Sequence, residues 1–361
     1  MAGLLILPQE IVEDLLLYLD PIDIARISGC CNLLRLVVYN PNDQALWRAL
    51  YLQQPFDDPR KCVSINGTAR DHIDWKVSLQ RLIRARTVVS SPNLCRPGER
   101  LTILETLLEL ATYVPPLSCA NDPHNLSSNL MWVAVTLRGS ALLDEATSSE
   151  EERQLCARLH TYFGLTTADA RRDTRVRSRA FVYDIRNYRH ETRYGPLDVH
   201  GRVNWVHMQA LHHVVSMHIV DLQEDDESFP FAIFPMSIPY TQIVIPPGIN
   251  FDTERDWAGV EGTWRVSFCF CDHRELLNEN GNLDFSIFEA QDFGEVFRSL
   301  DVNLQIVETE HDPKYPKRPI IHFSGEMPLS TSTMTGTVQM TPDGQVAWNF
   351  VRKTVHLRLR F

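Results

Sequence analysis

Cys269, Cys271 and His273 stand two residues apart, and on a β-strand that spacing turns all three to one face. Two thiolates and an imidazole suit zinc, but zinc needs a fourth ligand, and no second Cys pair lies nearby at finger-like spacing. The plainer expectation is two small buried thiols and a surface imidazole. His207, His212, His213 and His218 share one stretch of helical periodicity, where they are expected to be a mixture of packed and exposed rings. No H-E-x-x-H pair is among them, so metalloprotease chemistry has no basis. The chain also lacks a G-x-S-x-G elbow, a P-loop and a dinucleotide fingerprint. No Cys has a sequence partner that would activate it as a nucleophile. The expectation is therefore no catalytic residue, no metal, no cofactor and no enzymatic activity of its own.

The charged residues narrow the partners further. A net charge of −11 argues against nucleic acid or an anionic membrane as the main partner. Arg171, Arg172, Arg175, Arg177 and Arg179 make one basic stretch. Because Arg175, Arg177 and Arg179 alternate, a solvated strand face is expected, with an acidic-peptide site as the alternative. MAGLLILP has no positive n-region, its apolar run stops at Gln9-Glu10, and no stretch reaches membrane-spanning length. Eight scattered Cys read as reduced thiols and not as a disulfide framework. The expected setting is the cytoplasm, the nucleus or both.

The elements that must position any site fall into two styles. From Leu7 to Leu50 the signals are helical. Pro8 can open one helix with Glu10 in its first turn, and Asp20-Pro21 is a cap-and-start pair for the next. Ile11, Leu15, Leu16 and Leu19, then Ile24 and Ile27, then Leu33, Leu34, Leu36 and Val37 supply the apolar positions. Three such short helices cannot bury their apolar faces on one another alone, so part of that surface is meant for a partner. Helices are also expected over Asp71 to Val89, Pro97 to Val114, Ser149 to Phe163 and Asn204 to Asp221. Met131 to Leu137 reads as a buried strand and Arg175 to Ile185 as extended, while Glu224 to Glu227 makes an acidic loop. Residues 115 to 129, rich in Pro, Ser and Asn, mark the expected domain boundary.

The last third alternates. Trp264, Val266, Phe268 and Phe270 share a strand face, as do Val302, Leu304 and Ile306, and Ile321 and Phe323. Val338 and Met340 lead into the turn Thr341-Pro342-Asp343-Gly344, and Val346, Trp348 and Phe350 return. An antiparallel barrel or sandwich follows.

Leu7-Pro8-Gln9-Glu10-Ile11, Leu19-Asp20-Pro21-Ile22-Asp23-Ile24, Cys30-Cys31 and Leu46-Trp47 resemble the F-box, with Ile24 and Leu34 at positions where Leu and a larger residue are usual. Cys30-Cys31 is read as helix packing. The resemblance implies that Leu7, Pro8, Ile11, Leu15, Leu16, Leu19, Pro21, Ile24, Leu34, Leu46 and Trp47 divide between closing the helical packing and binding a Skp-family adaptor. Through the adaptor they would reach the cullin of a ubiquitin ligase. Trp47 and Leu7 are the first choices as anchors. The C-terminal segments Gly201 to Trp205, Asp256 to Trp264, Ile321 to Glu326 and Gly336 to Gly344 are similar to fungal, basidiomycete-type F-box proteins with a β-barrel-like substrate region. In those proteins further strands follow the Trp348-type hairpin. Here the run goes to Val355, Leu357 and Leu359, so the resemblance leaves closure of the barrel open, since a barrel short of a strand has an exposed edge.

The fold expected is α+β: an F-box at 1–54, a helical linker at 55–115, and a mainly antiparallel barrel-like domain with inserted helices at 130–361. The function implied is that of a non-catalytic substrate receptor whose protein substrate the sequence does not name. The alternatives are an F-box protein that binds the adaptor outside any ligase, and a calycin-like barrel for a small apolar ligand.

Overall fold

The computed structural model describes residues 6–39, 44–118, 126–138, 140, 142–143, 146–163, 165, 167–219, 242–245, 248–271, 276, 287–288, 293–326 and 332–354. By internal contact the chain divides into two compact units, Met1–Gly164 with Phe234–Ile245, and Leu165–Ile233 with Pro246–Phe361.

The first unit is built on helices α1 (Gln9–Leu16), α2 (Pro21–Ser28), α3 (Asn32–Val38), α4 (Ala45–Leu52), α5 (Trp75–Ser90), α6 (Arg100–Thr112), α7 (Ser128–Arg138) and α8 (Glu150–Phe163). Several starts are fixed by side chains that take up free backbone N–H groups. Asp20 accepts from the Ile22 amide at 2.9 Å, Asp74 from Val77 at 3.0 Å, and Ser149 Oγ from Glu152 at 3.1 Å. One apolar core runs through all eight helices, from Leu16, Ile24, Leu34 and Trp47 to Leu79, Val88, Leu104, Val133 and Leu159.

Two expectations are corrected here. Met131 to Leu137 is not a strand but lies in α7. A continuous apolar run does not distinguish a buried strand from a buried helix, and the residues that α7 buries, Leu130, Val133, Ala134 and Leu137, fall at i, i+3, i+4 and i+7. Asp57 holds the start of α7 from a distant loop. Its carboxylate accepts from Ser127 Oγ at 2.6 Å and from the Ser128 and Asn129 amides at 3.1 and 3.0 Å. Both α7 and α8 pack into this first core, whereas the sequence-based division placed them with the C-terminal domain.

The second unit holds α9 (Arg172–Val182), α10 (Trp205–Ile219) and strands β1 (Gly262–Phe270), β2 (Val296–Glu310), β3 (Ile320–Glu326), β4 (Ser332–Met340) and β5 (Val346–Thr354). Arg175 to Ile185, expected to be extended, is mostly α9. Val176, Ala180 and Tyr183 recur at helical spacing toward a small core with Phe288 and Phe293, which outweighs the alternation of the arginines.

The strands form an antiparallel meander in the order β1-β2-β3-β4-β5, curled into a half-barrel with β1 and β5 at its ends. Register puts Val302, Leu304, Ile321, Phe323, Val338 and Trp348 on one face, where Trp257, Val260 and Tyr315 of the same unit cover them. The expected turn is present. Thr341 N donates to Gln345 O at 2.8 Å, Gly344 N donates to Thr341 O at 3.0 Å, and Gly344 takes the left-handed φ of 74°. Gly336 is required by close approach, since a Cβ there would lie 2.1 Å from the Asn349 carbonyl oxygen.

Candidate functional site

α1 is apolar on two sides. Val12 and Leu16 point into the core of the first unit. Ile11 and Leu15, one turn apart, are each 45% exposed, and Tyr18, three residues further, is 88% exposed. Leu7 and Pro8 continue this exposed apolar surface ahead of the helix. α3, which packs against α1, repeats the arrangement. Leu34 and Val38 are buried, while Leu33 and Leu36 face water, Leu36 at 69% exposure. The three helices are held by elements outside them. Arg86 of α5 places Nη2 2.8 Å from both carboxylate oxygens of Asp20, and Trp47 Nε1 donates to the Val38 carbonyl at 2.9 Å, closing the end of α3.

The residues singled out from sequence therefore separate into two groups. Leu16, Ile24, Leu34, Leu46 and Trp47 are buried, with Leu19 and Pro21 half-buried beside them. Leu7, Pro8, Ile11 and Leu15 are presented to solvent. Trp47, a first choice as anchor, is 5% exposed and packs at a tilt against Tyr39, with ring centroids 5.6 Å apart. Tyr18, Leu33 and Leu36 were not among the residues assigned to the adaptor, although spacing held the signal: Tyr18 is seven residues from Ile11, and Leu33 and Leu36, named only as apolar positions, are three apart and out of phase with Leu34. Of the Cys pair, Cys31 packs against the core, but Cys30 is exposed.

In the second unit the four histidines of α10 have different surroundings. His207 is buried between Phe181 and Tyr188, ring centroids 5.3 and 5.1 Å away, and burial pushes its pKa down. His213 is buried with Nδ1 2.6 Å from Ser178 Oγ and Nε2 3.0 Å from the Asp169 carbonyl. His212 lies 3.5 Å from Ser216 Oγ. His218 reaches the carboxylate of Glu295, whose side chain is only 2% exposed. Arg179 Nε donates to the same carboxylate at 2.9 Å, and the Tyr183 hydroxyl donates to its other oxygen. The arginines expected to share a strand face thus diverge, with Arg179 on buried Glu295 and Arg177 paired in solvent with Asp173. Cys269 sits beside Tyr183 and Glu295; burial first, then Glu295, push its thiol pKa up. Cys271 is buried. His273 lies outside the described residues, as do Glu224 to Glu227 and Val355 to Leu359.

Residues 4–43 match the F-box domain, a span that contains α1, α2 and α3. No curated protein and no solved structure matches the chain. No described helix is long and apolar enough to cross a membrane.

Proposed function

We propose that this chain is the substrate-receptor subunit of a cullin–RING ubiquitin ligase. The F-box binds a Skp-family adaptor, and through it cullin, while the second unit binds the protein to be modified. The observation that carries the reading is the exposed apolar surface of Leu7, Pro8, Ile11, Leu15 and Tyr18 on α1 and of Leu33 and Leu36 on α3, inside the segment that matches the F-box. At roughly 25 cal/mol per Å2, covering such a stripe strongly favours association once the costs of docking are met. The buried group, Leu16, Ile24, Leu34, Leu46 and Trp47, acts by holding α1 and α3 in position. The receptor supplies no acid, base or nucleophile in this reading. It accelerates transfer by proximity, holding a substrate lysine near the charged conjugating enzyme.

Co-purification of the full chain with a Skp-family adaptor and a cullin tests this. The expected result is that wild type retains both and a Leu7→Asp, Leu15→Asp variant retains neither. Adaptor without cullin would instead support a role outside a ligase, and a folded wild type that retains no adaptor would overturn the reading.

A further inference from the structure

Antiparallel register places Cys269 of β1 opposite Phe297 of β2, and Glu295 stands immediately before that strand. His218, near the end of α10, stacks on Phe297 with ring centroids 5.0 Å apart and planes inclined by 9°, which turns its ring toward the same place. One ligand atom each from His218, Cys269 and Glu295 therefore converge to within 4.8 Å of one another. Tetrahedral zinc, with bonds of about 2.0 to 2.3 Å, holds its ligand atoms about 3 to 4 Å apart.

The contacts around these atoms also suit a metal. His218 Nε2 is screened from water and makes no hydrogen bond, although it lies 2.9 Å from Glu295 Oε2; the approach is off the direction a hydrogen bond requires. A water-screened imidazole nitrogen within 4.8 Å of a thiol sulfur and a carboxylate oxygen is placed as a metal ligand is placed. Glu295 is held from outside the cluster, by Arg179 on Oε2 and Tyr183 on Oε1, which is how ligating carboxylates are oriented. The guanidinium charge offsets part of the negative charge that a carboxylate and a thiolate would bring. Pairwise contacts place Arg179 and, when protonated, His218 on Glu295, and Cys269 beside Tyr183; a metal is what would use the nitrogen, sulfur and oxygen together at the one place where they converge.

We propose that His218, Cys269 and Glu295 form a site for a borderline-soft divalent metal, zinc being the best fit to one nitrogen, one sulfur and one oxygen donor. Binding displaces the Cys269 proton to solvent and forms Zn–S, Zn–N and Zn–O bonds, with a fourth position left for water. The ion ties the end of α10 to β1 and to the start of β2. This is not the Cys269, Cys271, His273 set that spacing suggested. Only Cys269 is shared, because Glu295 and His218 arrive through strand pairing and helix packing.

The test is a Co(II) titration of the reduced full chain, read by the thiolate-to-cobalt absorption band, followed by displacement with Zn(II). Wild type and Cys271→Ser are expected to give the band at one equivalent and to melt at higher temperature with zinc than with a chelator. Cys269→Ser is expected to lose the band, and His218→Gln to weaken metal binding at least tenfold. Both variants are expected to melt with chelator as wild type does, but without the rise on adding zinc. If Cys269→Ser does not fold, His218→Gln decides by the same readouts. Absence of the band in wild type, or its survival in Cys269→Ser, would overturn the proposal.

Discussion

The N-terminal helices and the C-terminal sheet treat apolar surface in opposite ways. On the sheet, Val302, Leu304, Ile321, Phe323 and Val338 are covered by Trp257, Val260 and Tyr315 of the same unit. On α1 and α3, Ile11, Leu15, Tyr18, Leu33 and Leu36 are left in water although the same helices bury Val12, Leu16, Leu34 and Val38. Apolar residues covered by their own chain are there for folding. Those left out on helices that already have a core are available to another molecule. Two apolar stripes on one short helix, one covered and one bare, therefore carry separate jobs, and substitutions separate them.

The largest loss of stability is expected on the covered side. Trp47→Ala removes a buried ring and its bond to the Val38 carbonyl, and should cost about 3 to 5 kcal/mol in chemical denaturation. In the sheet, Gly336→Ala puts a methyl against the backbone of β5 and the Phe323 ring, and should cost about 1 to 3 kcal/mol. A similar cost from Trp47→Ala and from Ile11→Ala would break the contrast between covered and bare stripes. Asp57→Ala, which strips the remote cap from α7, should cost about 1 to 2 kcal/mol. Leu15→Ala or Leu36→Ala should change stability by no more than about 0.5 kcal/mol.

The smallest effect is a pH dependence in the second unit. Burial holds the folded pKa of His207 below its ordinary 6.5, so the unfolded chain binds the proton more readily. The contribution of His207 is thus fully present above that ordinary value and is lost as pH falls through the lower folded value. Thermal melts across that window should show wild type losing stability toward acid more steeply than His207→Phe.

Where the fold was legible, the sequence carried a local device. Asp20-Pro21 reads as a helix start because the cap and the missing N–H are chemical properties of adjacent residues. Thr341 to Gly344 reads as a turn because only glycine takes its final conformation cheaply. Met131 to Leu137 failed because a run apolar at all but Thr136 has no period to read, and the helix shows only once Leu130 is counted with Val133, Ala134 and Leu137. The arginines at 175, 177 and 179 misled because exposed charges follow no period that packing enforces. Among the F-box residues, sequence identified the set but not its division. Trp47 and Leu7 look equally suited to anchoring a partner until α3 is seen to end on the indole of one and not the other. Glu295 had no sequence signal at all, since it reaches His218 and Cys269 only through the pairing of β1 with the strand that follows it and the packing of α10.

The most direct test of the bare stripe is the affinity of a purified Skp-family adaptor for wild type and for an Ile11→Asp, Leu15→Asp variant, with circular-dichroism melts of both. The expected result is at least a tenfold loss of affinity with an unchanged melt. Equal affinity in the two proteins would contradict the account, because the exposed face of α1 would then not be the surface that the F-box presents.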